Sequence, residues 1–193
     1  FADNSLIPTF YLSKKTRKEV TVALSGDGGD ELFLGYETYF ADRLYNYSTI
    51  LPRSLFSLCS QVSDKFNSKH GKVDINYKIK SFLKGSQYGF EQAHESWRQI
   101  FDGDEINKLT GLKTKYKKSH HWNELNGSHF LDRSSYYDIK TWLVDDILFK
   151  VDRMSMGNSL ETRCPFLDHK FVEFAASLPN KYKIRFLKNK YIL

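Results

Sequence analysis

The sequence predicts an α/β fold, and three observations predict it. Val20-Thr21-Val22-Ala23-Leu24 is a β-branched run of strand length. Ser25-Gly26-Asp27-Gly28-Gly29 follows it and is too rich in glycine for helix or strand. Asp30-Glu31 then opens a helix carrying Leu32, Phe33, Tyr36 and Phe40 on one face, with its acids at the positive end. A helix over residues 5–18, with Leu6, Phe10 and Leu12 among its apolar positions, precedes the strand. The unit reads helix, strand, glycine loop, helix, which is half of a βαβ layer.

Beyond Leu51 the strand signals fade. Stretches near 51–64, 76–84, 88–101 and 104–111 read as short helices, while 68–72 and 113–128 are polar and read as loops. Ile139, Leu143, Ile147, Val151 and Met154 recur at steps of four or three, so residues 135–156 form a helical stripe. Acids at Asp145 and Asp146 place a break near 144–145. Asp168 is the N-cap of a further helix backed by Phe171, Val172, Ala175 and Leu178, and Pro179 stops it.

The chain has 193 residues, 40% apolar and 16% aromatic, enough for one domain with one core. No apolar run approaches the roughly 18 residues of a membrane span, and Phe1-Ala2-Asp3-Asn4 has neither a basic leader nor an initiator Met. It reads as a piece of something longer. Cys59 and Cys164 show no paired spacing, which fits a reducing cytoplasm rather than a disulfide framework or structural zinc. His120-His121 with His129 reads as a solvated loop. The net charge of +6 gathers at Lys113–Lys118 and in a run of Lys181, Lys183, Arg185, Lys188 and Lys190. Without any nucleic-acid signature these runs read as solvated faces.

Chemistry concentrates in Ser25-Gly26-Asp27-Gly28-Gly29-Asp30-Glu31. Glycines after a strand let backbone N–H groups approach an anion. Asp27, Asp30 and Glu31 would repel phosphates unless a divalent cation intervened, and magnesium sits on one or two carboxylates plus phosphate oxygens. The residues allow two readings: a magnesium–nucleotide site, or a tight turn whose acids start a helix. Asp146 and Lys150, four apart, read as a surface pair worth roughly 0.3–0.5 kcal/mol. Glu161, Arg163 and Asp168 read as a structural clamp.

Leu24-Ser25-Gly26-Asp27-Gly28-Gly29-Asp30-Glu31-Leu32-Phe33 with Gly35-Tyr36 resembles the second nucleotide-site motif of asparagine synthetases. Further along, Lys150-Val151-Asp152-Arg153-Met154-Ser155-Met156 and Leu160-Glu161-Thr162-Arg163-Cys164-Pro165-Phe166-Leu167-Asp168 resemble that family's second hallmark. Phe1-Ala2-Asp3 with Pro8-Thr9 resembles the segment before its strand. The resemblance implies an adenine-nucleotide α-hydrolase-like (PP-loop ATPase) sheet with a mostly helical C-terminal part. Residues 1–193 would form part of the synthetase domain. ATP would activate the side-chain carboxylate of aspartate as β-aspartyl-AMP, and ammonia from glutamine would displace AMP.

Carried over by position, Ser25, Gly26 and Gly28 bind the nucleotide and Asp30 holds Mg2+ with pyrophosphate. Asp27, where many relatives carry Glu, supports the adenylate. Asp146, Lys150, Asp152 and Arg153 fall on the substrate side, with Lys150 and Asp152 counted as catalytic beside Asp27. Leu34 replaces a glycine common in the family, a change expected to touch only packing.

The family's glutaminase domain, its S-G-G-x-D-S loop and a glycine-flanked lysine are expected outside this chain, leaving the isolated chain inactive. The expected setting is cytoplasmic. Expected partners are aspartate, ATP and ammonia or glutamine, with the glutaminase domain of the same parent. Nucleic acid and membrane are not expected, and a homodimer is open. Two other readings stand: an amidotransferase of the same family acting on another carboxylate, as in surface-polysaccharide synthesis, or a non-catalytic binding module.

Overall fold

The structure is a computed structural model and describes residues 3–48, 56, 75–113 and 115–193. They fall into two compact units: Phe1–Tyr36 with Leu125–Leu193, and Glu37–Glu124. The expected helix near 51–64 and the loop at 68–72 lie outside the described residues, apart from helical Phe56.

In the first unit, helix α1 (Leu6–Thr16) leads to strand β1 (Val22–Leu24). The strand is shorter than the β-branched run and pairs in parallel with β2 (Glu161–Arg163), in register Val22↔Glu161, Ala23↔Thr162 and Leu24↔Arg163. Ser25 N–H donating to Arg163 O at 2.8 Å and Glu161 N–H donating to Thr21 O at 3.0 Å extend the ladder. Strand β2 was not expected. Thr162 is its sole β-branched residue, between two charged ones, so only the pairing with β1 makes it a strand.

The helix expected from Asp30 through Phe40 is in fact two. α2 (Gly29–Leu32) ends at Leu34, whose φ is 55°, and Gly35 N–H donates back to Asp30 O at 2.8 Å. That bond is the long-range closure of a Schellman C-cap, which turns the chain before α3 (Glu37–Ser48) begins. Leu32 and Phe33 still reach the core. They pack with Ala175, and around them lie Ile139, Phe166, Phe171, Val172 and Leu178.

The stripe over 135–156 is helical, but it starts at Phe130 and is interrupted earlier than expected. After α4 (Ile75–Gly85), α5 (Phe90–Ser96), α6 (Gly103–Thr110) and α7 (His121–Glu124), all in the second unit, α8 (Phe130–Lys140) stops at Thr141. A π-helical turn (Leu143–Leu148) then leads into α9 (Phe149–Met156). The Thr141 hydroxyl donates to Tyr137 O at 2.8 Å, a back-bond that bends helices. α9 packs against α1, and Asn158 Nδ2 ties Phe10 O (3.3 Å) to Met154 O (2.8 Å).

A 3-10 turn (Pro165–Leu167) precedes α10 (His169–Ser177). Asp168 caps α10 as expected, its Oδ1 accepting from the N–H groups of Lys170 (3.0 Å) and Phe171 (3.2 Å). α11 (Asn180–Lys183) follows Pro179. The basic C-terminal run departs from a solvated face. Lys183 is buried, which lowers its pKa, and Lys190 is ion-paired with Asp30.

The second unit holds α3, α4 (Ile75–Gly85), α5 (Phe90–Ser96), α6 (Gly103–Thr110) and α7 (His121–Glu124). α7 lies inside the segment expected to be loop, because Trp122 is buried and its Nε1 donates to Glu95 at 2.7 Å. Tyr45, Phe82, Phe90, Trp97 and Trp122 form a chain of aromatic contacts, and Trp122 with Tyr39 also meets the ring of His94, whose Nδ1 forms a fully buried pair with Asp42 at 2.9 Å. Asp102 and Glu105 form a reciprocal capping box at the start of α6. No described helix is long and apolar enough to cross a membrane.

Candidate functional site

Parallel pairing brings the carboxyl ends of β1 and β2 together, and the loop Ser25–Gly28 starts there. In open α/β sheets ligands bind outside the carboxyl ends of the strands. A Cβ built on Gly26 meets nothing within 4 Å, so this backbone faces open space. Gly28 serves a different need. Its φ is 89°, and a Cβ there would sit 2.3 Å from Leu167 Cδ2, so the glycine lets the loop lie flat on the 3-10 turn. Gly29 has Phe166 at 3.3 Å in the same way.

Asp27 accepts a hydrogen bond from the Ser25 hydroxyl. It caps no helix, because the N-cap of α2 is Gly28 and makes no side-chain cap bond. Glu31 leaves the acidic set proposed for the loop: it is buried and its Oε1 accepts from the Tyr36 hydroxyl at 2.8 Å. Burial raises its pKa, the Tyr36 bond opposes this, and the charges of Asp138 and Asp30 add to the rise. The acids at the loop are therefore Asp27 and Asp30.

Asp30 meets a residue that sequence reasoning did not place there. Lys190 Nζ stands 2.9 Å from Asp30 Oδ1. Gly35 makes the space, since a Cβ on it would lie 1.9 Å from Asp30 Oδ1 and 2.3 Å from Lys190 Cε. Asn189 Nδ2 donates to Gly35 O (3.0 Å) and Tyr36 O (3.1 Å), and Lys190 N–H to Phe33 O (3.3 Å). The signal available in the sequence was Lys190 within the basic run, but nothing local connects it to a loop so far upstream.

Cys164, directly after β2, also adjoins the loop. Burial pushes its thiol pKa up, the charge of Asp27 adds to the rise, and a hydrogen bond with Ser25 opposes it. A raised pKa keeps the group as thiol through neutral pH, and the thiolate is the reactive form. Iodoacetamide should therefore alkylate Cys164 at about pH 8 some threefold or more slowly than an unfolded cysteine. The difference should vanish as the pH rises well past the ordinary thiol range. Peptide mapping follows Cys164 separately from Cys59, which lies outside the described residues. Equal rates in folded and urea-unfolded protein would contradict the placement.

The substrate-side candidates divide. Lys150 is buried and is no surface partner of Asp146. Its Nζ donates to Asp3 Oδ2 at 2.6 Å and to Ser5 Oγ at 2.7 Å. Burial alone would raise the Asp3 pKa, but the bonds from Lys150 and Ser5 outweigh it and hold the carboxyl at about 2. Asp146 Oδ2 is buried without a hydrogen-bond partner, and burial together with the charge of Asp3 pushes its pKa up. Asp152 and Arg153 are exposed, with the Arg153 guanidinium 5.2 Å from the Phe149 ring. Glu161 and Arg163 form an exposed pair at 2.7 Å, while Asp168, the third member of the expected clamp, caps α10.

Open backbone at Gly26, a carboxylate at Asp30 and an ammonium at Lys190 suit a phosphate-bearing ligand accompanied by a divalent cation. Glycine loop, parallel strands and flanking helices together define an α/β unit. The chain belongs to the asparagine synthase family, whose model matches residues 1–193. It is 31% identical over 200 residues to asparagine synthetase [glutamine-hydrolyzing] 1 of Bacillus subtilis, covering 100% of this chain and 30% of that protein. A putative asparagine synthetase [glutamine-hydrolyzing] of Mycobacterium tuberculosis is 32% identical over 197 residues, covering 100% of this chain and 29% of the relative. The amidase chry2 of Gibberella zeae is 24% identical over 184 residues, or 86% of this chain and 27% of that protein. The chain thus spans about 30% of the length of the curated relatives it matches. No solved structure matches it.

Proposed function

We propose that this chain is the part of an ATP-dependent ligase that carries the second half of its nucleotide site. In the parent, the aspartate side-chain carboxylate attacks the α-phosphorus of ATP to give β-aspartyl-AMP and pyrophosphate. Ammonia derived from glutamine then attacks the acyl carbon, expelling AMP and losing a proton to leave asparagine. The observation that carries this reading is the Asp30–Lys190 pair, held beside open loop backbone at the carboxyl ends of parallel strands. Ser25 and Gly26 contact the nucleotide, and Gly28 sets the loop shape they need. Asp30 holds Mg2+, which when bound offsets the charge of the phosphate oxygens. Lys190 is a second cation for the same oxygens.

The glutaminase domain and the rest of the sheet come from the parent chain. Val22 and Leu24 are exposed on β1, and parallel sheets are normally covered on both faces. The PP-loop-type fold, the cytoplasmic setting, and the Lys150 and Asp152 assignments belong to this proposal.

The test is ATP–pyrophosphate exchange in the full-length parent, with aspartate present. Asp30→Asn should slow exchange by at least about tenfold at low magnesium, with partial recovery as magnesium is raised. A wild-type rate at low magnesium would reduce Asp30 to a helix-start acid. Exchange that responds to a different carboxylate would change the acceptor while keeping the site.

A further inference from the structure

The second unit carries a cluster of two histidines and a glutamate. His120, His121 and Glu124 each offer one ligand atom, and the three atoms lie within 4.8 Å of one another. His121 Nδ1 is 2.6 Å from Glu124 Oε1, His120 Nε2 is 3.7 Å from the same oxygen, and the two imidazole rings are 3.9 Å apart between centroids. Consecutive residues of a helix point about 100° apart. These two converge because His120 sits in the turn before α7 and His121 is its first residue.

We propose that His120, His121 and Glu124 bind a single Zn2+ ion. Two neutral imidazoles and one carboxylate are borderline ligands of the kind zinc takes, and three protein ligands leave a fourth position for water. Bonds of about 2.0–2.2 Å to a tetrahedral ion put ligand atoms about 3.3–3.6 Å apart. His120 and Glu124, at 3.7 Å, stand just outside that separation and need to close by only about 0.1 Å or more. The His121–Glu124 hydrogen bond must open by under about 1 Å, the ion taking the place of the shared proton.

The turn is anchored for this work. Trp122 between the histidine pair and Glu124 is buried and bonded to Glu95. Lys118, the nearest of the lysine cluster in sequence, is drawn to Glu91 at 3.1 Å, which draws its charge away from the cluster. His129, the third histidine of the sequence grouping, is used elsewhere: its Nδ1 accepts from Leu131 N–H at 3.3 Å at the start of α8.

Isothermal titration of ZnCl2 into the tag-free full-length parent tests the proposal, with Co2+ absorption reporting tetrahedral geometry. The expected result is a saturable site with a micromolar Kd that depends on these residues. His120→Ala and Glu124→Gln should each weaken it at least about tenfold, while His169→Ala leaves it unchanged. The two affected side chains are exposed enough that neither variant removes a core contact. Absence of saturable Zn2+ binding would overturn the site. So would wild-type affinity in both variants.

Discussion

Asp27→Asn in the full-length parent is expected to slow adenylate formation by about 10²–10⁴-fold, the usual contribution of a positioned acid–base group. Stability should move by no more than about 0.5 kcal/mol, as for a substitution that removes no core contact or cap. Two observations separate these effects. Asp27 makes no helix cap, so the roughly 1 kcal/mol that a lost cap costs is not at stake. Asn also keeps an oxygen for the Ser25 hydroxyl, so the local loop geometry survives while the charge is lost. Positional-isotope exchange of ATP with aspartate, alongside thermal unfolding, measures both. Lost stability with normal exchange would make Asp27 structural and would favour a binding module over an enzyme.

Leu34→Ala is expected to cost about 2–5 kcal/mol, because Leu34 is fully buried and the cavity it leaves closes only partly. Leu34→Gly should be at least as stable as Leu34→Ala, although it removes one more carbon. Glycine ordinarily ranks below alanine by about 0.5–1 kcal/mol. Here φ is 55°, where a Cβ costs about 1–2 kcal/mol and glycine costs nothing extra. Denaturant unfolding of the three proteins gives the order, and alanine ranking above glycine would contradict the left-handed backbone. The replacement of a family glycine by Leu34 was expected to affect packing alone. It also places backbone strain at the C-cap of α2, next to the Gly35 that accommodates Asp30 and Lys190.

What the residues announced locally was announced by short-range physics. The strand and glycine loop at 20–29 follow from β-branching and backbone freedom. Asp168 as a cap and Pro179 as a stop follow from hydrogen-bond supply at helix ends. Motif order alone marks the chain's family, and the family match agrees.

Tertiary structure decided whatever depended on partners distant in sequence. β2 exists only because β1 offers it a ladder. Asp30 has Lys190 beside it because Asn189 and Lys190 fasten the C-terminal segment onto Phe33, Gly35 and Tyr36. Lys150 turned from a surface residue into a buried partner of Asp3 at the other end of the chain. A side chain's spacing along one helix states which face it takes. Which charge waits on that face is set by a chain segment a hundred or more residues away, and no local pattern encodes it.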